Sequence, residues 1–190
     1  MKQRSSSVAQ EYSSAKTARK QVPALHKKIV KYNLFKKTLG PYLKDKHVNL
    51  DMGGGPYDDT TKFFARNNIE NIVIDPYNRS DEHNRAAERK VLEGSVTTCT
   101  LANVLNVVKE REIRLQILSR VKDILAFKGR LKGHLFIAVY EGDRSGIGRE
   151  TKCGWQENRP LKDYVGELRA AGFLGIRIQY GVLMARTPTI

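Results

Sequence analysis

Apolar and polar positions along the chain switch repeatedly between a helical and a strand-like period. From Val22 to Leu39, apolar residues at Leu25, Ile29, Tyr32 and Phe35 fall close to helical spacing, with Lys27, Lys28, Lys31 and Lys36 mostly off that stripe. This predicts a basic amphipathic helix, punctuated at its end by Gly40-Pro41. Val48-Asn49-Leu50-Asp51 reads as a short strand running into a glycine-rich turn. Thr60 or Asp59 then caps a helix carrying Phe63, Phe64 and Ala65, and Ile72-Val73-Ile74 is a second strand ending at Asp75-Pro76. After a polar stretch from Asn78 to Lys90, Val96 to Leu101 has the β-branched content of a strand. A helix from about Lys109 to Phe127 follows, with Ile113, Ile117, Val121 and Ile124 on one face and Glu110, Arg111, Arg114 and Lys122 toward water. Then come a strand from Leu135 to Tyr140, a polar loop from Glu141 to Arg159, and a helix from Leu161 to Ala171 with Leu161, Val165 and Leu168 facing in. Two last strands, Ile176 to Gln179 and Val182 to Ala185, are joined by the tight reversal Tyr180-Gly181 and should pair as a hairpin.

Strands alternating with helices predict an α/β fold, a Rossmann-like open and mostly parallel sheet with helices on both faces and a C-terminal antiparallel hairpin. Such sheets bind ligands outside the carboxyl ends of their strands, where the strand order reverses, so the turn after the first strand is the place to look.

Composition adds a boundary and an asymmetry. At 190 residues, with 40% hydrophobic and 28% charged side chains, the chain fits one domain, or one domain with an extension, and wholesale disorder is excluded. No apolar run approaches a membrane span, and the opening Met1-Lys2-Gln3-Arg4-Ser5 does not resemble a signal peptide, so a cytoplasmic protein without a transmembrane segment is expected. Two cysteines, Cys99 and Cys153, are too few for a disulfide scaffold, and with His47, His83 and His134 they show no metal-ligand spacing; no metal is predicted. The formal net charge is +14. Residues 1–47 hold 12 basic and two acidic side chains, so most of the excess sits in the N-terminal quarter. The organisation expected is a flexible Ser-rich arm at 1–15, a basic helical extension at 16–47, and a cofactor-binding domain at 48–190.

The chemistry gathers at the first turn, Asp51-Met52-Gly53-Gly54-Gly55-Pro56-Tyr57-Asp58-Asp59. Three consecutive glycines let backbone approach a ligand closely. Aligned as a dinucleotide fingerprint on Gly53 and Gly55, the third glycine would fall at Asp58, a carboxylate where a pyrophosphate should sit. A cofactor with no phosphate and a cationic end, such as S-adenosylmethionine, fits better. Asp75, at the end of the second strand, is placed to accept hydrogen bonds from ribose hydroxyls, a role that by itself does not separate this cofactor from NAD.

Asp51-Met52-Gly53-Gly54-Gly55, Asp75 after Ile72-Val73-Ile74, and Leu101-Ala102-Asn103-Val104-Leu105-Asn106-Val107-Val108 resemble the successive motifs of class I S-adenosylmethionine-dependent methyltransferases. The closing hairpin is similar to that fold's reversed last strand. Lys16-Thr17-Ala18-Arg19, Asp75-Pro76-Tyr77 and Asn103 to Val108 are also similar to small methyltransferase-like proteins of bacteria and phages, including some associated with DNA phosphorothioation genes. The resemblance implies that Asp51, Gly53, Gly54 and Gly55 hold the methionine end of S-adenosylmethionine and Asp75 its ribose. It sets Asn103, with Asn106 behind it, just beyond the fourth strand, bordering the methyl group and acting as the catalytic candidate. Asn103 can orient an amine or amide through its carbonyl, or simply cap the next helix. The acid that often follows the third strand in that family, to hold the adenine amino group, is not evident near Glu93-Gly94-Ser95. The amino-methylating tetrad of an Asn or Asp, two prolines and an aromatic is absent after Leu101, and Cys99 falls inside a strand.

The loop Glu141–Arg159 is long for a compact domain and reads as a substrate lid, with Trp155, Gln156, Asn158 and Arg159 able to meet a planar polar substrate. Lys16, Arg19 and the surrounding basic residues suggest a polyanion, so the expected activity is methyl transfer to DNA or RNA. A small-molecule methyltransferase, a non-catalytic S-adenosylmethionine-binding regulatory module, and an anionic membrane as the partner of the basic helix stay open at this stage.

Overall fold

A computed structural model describes residues 20–40, 47–94, 96–126, 133–152 and 154–188. The arm at 1–15, Lys16, Arg19 and Cys153 lie outside the described residues. The chain forms α1 (Ala24–Lys31), α2 (Leu34–Leu39), β1 (His47–Met52), α3 (Asp59–Ala65), β2 (Ile69–Ile74), α4 (Asp81–Glu93), β3 (Val96–Ala102), α5 (Arg111–Ala126), β4 (His134–Ala138), β5 (Arg149–Thr151), β6 (Gly154–Gln156), α6 (Val165–Ala170), β7 (Leu174–Gln179) and β8 (Val182–Arg186). Short 3-10 turns at Leu105–Val107 and Leu161–Tyr164 precede α5 and α6.

Six strands make one sheet in the order β2-β1-β3-β4-β8-β7. The first four are parallel, β8 runs antiparallel to β4, and β7 pairs antiparallel with β8. The expected mostly parallel sheet with a C-terminal hairpin is therefore present. The chain passes from β1 outward to β2, then returns through α4 to β3 on the other side of β1, so the strand order reverses between β1 and β3. α4, α5 and α6 cover one face around Leu50, Leu101, Leu118, Val121 and Leu135. Leu25, Ile29, Leu34, Phe35 and Phe64, from α1 to α3, cover the other against Phe136, Val182 and Met184. Residues 24–39 of the basic N-terminal segment are thus part of the packing of the sheet. A separate hairpin, β5 with β6, stands within the loop after β4.

Four local expectations change. The single helix predicted over 22–39 breaks at Asn33, whose φ of 51° is left-handed. At 100° per residue an unbroken helix would set Leu34 on the side opposite Leu25; the break lets both face the sheet, where each is buried. The polar stretch 78–90 holds most of α4, whose only buried residues are Ala87 and Val91. Its sequence signals are local: Ser80 Oγ accepts the His83 N–H at 3.2 Å, and Asp81 and Glu82 occupy the first turn. In α5 the buried seam is Arg114, Leu118, Val121 and Leu125, one step round from the predicted face. Arg114 goes inward because Glu167 of α6 meets it there at 2.9 Å. Finally, α4 runs straight to β3, so Asn103, which the resemblance sets beyond a fourth strand, follows the third strand of this chain.

Candidate functional site

β1 is buried along its whole length. Its alternation gives it two different faces: Val48, Leu50 and Met52 join the core beneath α4 and α5, while His47, Asn49 and Asp51 lie on the side of α1 and α2. Buried polar groups need partners, and the neighbouring strands supply them. His47 Nε2 meets Thr98 Oγ1 at 2.8 Å, and Thr98 donates to Asn49 Oδ1 at 2.9 Å, so the imidazole Nε2 carries the hydrogen. Asn49 Nδ2 donates to Asn71 Oδ1 and to Thr100 Oγ1. Thr100 donates to Asp51 Oδ1 at 2.9 Å. The result is a polar network across β2, β1 and β3, where the sequence predicts only a short strand at Val48 to Asp51. Burial holds His47 neutral, with its pKa down at about 4.

α1 completes that network. His26, fully buried, brings Nε2 to 3.1 Å from Asp51 Oδ1 and 3.2 Å from Thr100 Oγ1. Burial pushes the Asp51 carboxyl up; the charge and hydrogen bond of His26, with the contributions of Thr100 and Asn71, outweigh it and hold the group below the ordinary carboxylate range. Asp51 Oδ2 and His26 Nδ1 have no hydrogen-bond partner. Oδ2 faces the underside of the glycine turn: a Cβ on Gly54 would stand 2.8 Å from it and 2.9 Å from Val73 Cγ1. Asp51 therefore packs directly beneath Gly54, where only a glycine leaves room for its carboxyl. His26 escaped the sequence reading because a lone histidine in a lysine-rich helix carries no signal for a carboxylate 25 residues away.

The turn itself is closed at two glycines and open at the third. A side chain at Gly53 would meet Val104, and one at Gly54 would meet Asp51. At Gly55, with φ at 78°, a Cβ would have no atom within 4 Å. Gly53 N–H donates to Ile74 O at 2.7 Å and Gly55 N–H to Asp75 Oδ2 at 2.8 Å, which ties the turn to the end of β2. Asp75 is buried, and its other oxygen accepts from the N–H groups of Tyr77 and Asn78. The Asn78 amide reaches both oxygens, at 3.1 and 3.0 Å. Arg79 locks the two loops together by donating to Gly55 O and Tyr57 O and pairing with Asp58 at 2.9 Å. The acidity read from the sequence is thus largely met within the fold: Asp51 by His26, Asp58 by Arg79, Asp75 by N–H donors.

Asn103 ends β3 exposed to solvent, in the left-handed region at φ 58°, with its N–H held by Ala138 O of β4 at 2.9 Å. It does not cap α5, which starts at Arg111, so the capping alternative falls away. Asn106, in the 3-10 turn beyond it, anchors the loop predicted as a lid: its carbonyl accepts the Glu157 N–H at 2.7 Å and its amide approaches Gln156 Oε1 at 3.4 Å. Trp155 and Gln156 belong to the β5–β6 hairpin, which is thereby placed beside the carboxyl end of β3. Trp155 is half-buried, donates to Glu157 Oε2 at 2.6 Å, and has the Lys109 ammonium 4.8 Å over its ring. Asn158 is buried and bonds Ile147 O within the loop. Arg159 points the other way, over the Tyr164 ring and onto Glu167 at 2.6 Å. Burial would raise Glu167, yet Arg114 and Arg159 hold its carboxyl below its usual value. The structure therefore brings Asp51, Gly53, Gly54, Gly55, Asp75, Asn103, Trp155 and Gln156 to one edge of the sheet. Asn158 and Arg159 hold the loop in place. Cys99 is fully buried, and burial followed by the nearby Asp51 charge pushes its thiol well above the usual range.

Among the described residues no helix is long and apolar enough to cross a membrane, and no group of three His, Cys, Asp or Glu is placed to hold a metal ion.

No protein-family model and no curated protein sequence matches the chain. Solved structures match its fold at low identity. The pyocyanin biosynthetic protein PhzM is 14% identical over 84% of this chain and 56% of its own, with a TM-score of 0.50. Haemonchus contortus phosphoethanolamine N-methyltransferase 2, solved with S-adenosylhomocysteine, is 15% identical over 78% of this chain, with a TM-score of 0.48. The chain spans only 38% of that enzyme's length. Streptomyces davawensis N,N-8-amino-8-demethyl-D-riboflavin dimethyltransferase is 15% identical over 84% of this chain and 56% of its own, with a TM-score of 0.48. The architecture is the Rossmann-like fold of class I methyltransferases, and these likenesses speak to fold.

Proposed function

We propose that this chain is an S-adenosylmethionine-dependent methyltransferase acting on a nucleic acid. The observation that carries the reading is the convergence, at the reversal of strand order, of the Gly53–Gly55 turn, the Asp75 loop and the post-β3 loop bearing Asn103. Ligands of open α/β sheets bind at that point. The residues present fit the cofactor: Gly55 leaves an open cradle in a turn with the Asp51 carboxyl packed beneath Gly54, and a carboxylate, Asp58, stands where a dinucleotide fingerprint has its third glycine. In this reading the backbone of Gly53 to Gly55 holds the methionine end. Asp75 holds the ribose by exchanging the Asn78 amide, the one side-chain donor on its carboxylate, for hydroxyls. When bound, S-adenosylmethionine supplies a methyl carbon activated by its sulfonium. What remains for the protein is alignment, since displacement needs nucleophile and methyl in line at about 3–3.5 Å. Asn103, fixed to β4 through Ala138, presents its carbonyl to an incoming amine or amide, and the Trp155–Gln156 hairpin flanks it. The basic N-terminal segment supports a phosphate-bearing substrate.

Calorimetry with S-adenosylmethionine tests the first half. Wild type is expected to bind and Asp75→Ala to bind at least about tenfold more weakly; Gly55→Ala, strained by the positive φ of 78° at that position, should lose binding, with urea unfolding to show that the variant still folds cooperatively. Absence of binding by wild type overturns the assignment. Radiolabelled donor with fractionated cell extract tests the second half: label is expected in a nuclease-sensitive pool, and label in small molecules or protein, or none, refutes the nucleic-acid substrate.

A further inference from the structure

The face formed by the α1–α2 break and the β7–β8 turn combines unopposed positive charge with accessible aromatic rings. Residues 20–40 carry six lysines and no carboxylate, and residues 174–188 carry Arg177 and Arg186 and no carboxylate. Where the two segments meet, the rings of Tyr32 and Tyr180 stack at 4.1 Å with 10° between their planes. Lys31 Nζ lies 5.3 Å from the Tyr32 centroid and Lys37 Nζ 5.5 Å from that of Tyr180, while Lys28 Nζ packs against Gly181. Tyr180 is 43% exposed.

The turn chemistry marks Tyr180 as out of place. Tyr180 and Gly181 have φ of 54° and 66°, the geometry of a two-residue hairpin turn that favours asparagine and glycine at its first position. A bulky residue with positive φ is a local conflict, and such conflicts cluster at functional sites. The location is also specific. Because β8 is antiparallel to β4, with Leu183 opposite Ile137, the turn lies at the carboxyl end of the parallel strands. Asn103 is bonded to Ala138 at that same edge. β3, β4 and β8 are neighbours, so two strand spacings, about 10 Å, separate Asn103 from the turn.

We propose that this face is a track for single-stranded nucleic acid, with an unpaired base stacking on Tyr180 or Tyr32 in place of a lysine, and phosphates meeting Lys28, Lys31 and Lys37. Stacking platforms flanked by basic side chains are how proteins hold single strands without reading a duplex groove. An anionic bilayer is the weaker match, because the apolar side of α1, Leu25 and Ile29, is already buried against the sheet. The inference deepens the proposed function by naming the form of the substrate. It is tested without methyl donor, so its failure is distinguishable from failure of the methyltransferase reading.

The experiment is fluorescence anisotropy of the intact chain with a labelled mixed-sequence oligonucleotide of about 20 nucleotides, single-stranded and as a duplex, across a salt series. Single strand is expected to bind more tightly than duplex. Lys31→Ala/Lys37→Ala should lower the salt slope by about one to two. Tyr180→Asn, which suits the turn better and keeps the fold, should weaken single-strand binding about tenfold while leaving calorimetric S-adenosylmethionine binding at the wild-type value. Salt-independent binding, a duplex preference untouched by Tyr180→Asn, or loss through these variants of binding to phosphatidylserine vesicles instead of oligonucleotide would each overturn the proposal.

Discussion

Replacing His26 by leucine asks whether the buried Asp51 carboxyl beneath the glycine turn depends on its imidazole partner. Leucine retains most of the volume packed against Phe64, whose ring meets the imidazole edge-on at 5.2 Å. It removes the group that reaches Asp51 Oδ1 at 3.1 Å. The two side chains are 0% and 1% exposed, so water has no access to replace that group. Removing one partner of a buried pair costs about 3–5 kcal/mol, a large part of the roughly 5–15 kcal/mol that holds a domain folded. The pH dependence should reverse as well. In the wild type the folded pKa of Asp51 is depressed, so its contribution is present above the unfolded value near ~3.9 and is lost as pH falls through the folded value. Without His26, burial dominates and the folded pKa rises, so stability falls as pH climbs from about 4 toward neutrality. A second change, Asp51→Asn, removes the titrating group and leaves an amide for Thr100. Urea unfolding at about pH 7.5 should find the double variant roughly 1–3 kcal/mol more stable than His26→Leu alone, with a narrower gap near pH 4.5. A double variant less stable than the single one, or a gap unchanged by pH, would show that His26 acts by packing and refute the pair.

Two further outcomes follow from other buried groups. His47 is neutral in the fold with a pKa of about 4, against 6.5 for the free side chain, and this depressed value makes its contribution full above 6.5 and lost as pH falls toward 4. At about 1.4 kcal/mol per unit, urea unfolding should record a loss of about 3 kcal/mol over that window, and His47→Gln should flatten it. Arg114→Met leaves buried Glu167 to Arg159 alone and should cost about 3 kcal/mol by thermal or urea unfolding, much of it recovered in Arg114→Met/Glu167→Leu.

Local pattern was enough for the glycine turn with its flanking strands, for β3, α5 and β4, and for the terminal hairpin, because each rests on neighbours in sequence, but it missed α4, the β5–β6 hairpin and the break between α1 and α2. It was enough, too, to mark Asp51, Asp75 and Asn103 as strand-end residues, since a strand's end is a local event. The partners of those residues were decided only by the fold. His26 meets Asp51 across 25 positions, Arg114 meets Glu167 across 53, and Tyr32 finds Tyr180 from the far end of the chain. Composition could count the charges but could not say that Asp51, Asp58 and Asp75 are each met by an internal partner while the lysines of α1 and α2 carry none of the ion pairs found among the described residues. The physical reason is that a buried carboxylate such as Asp51 or Asp75 must be compensated where it lies, and register and helix docking alone determine which groups lie there.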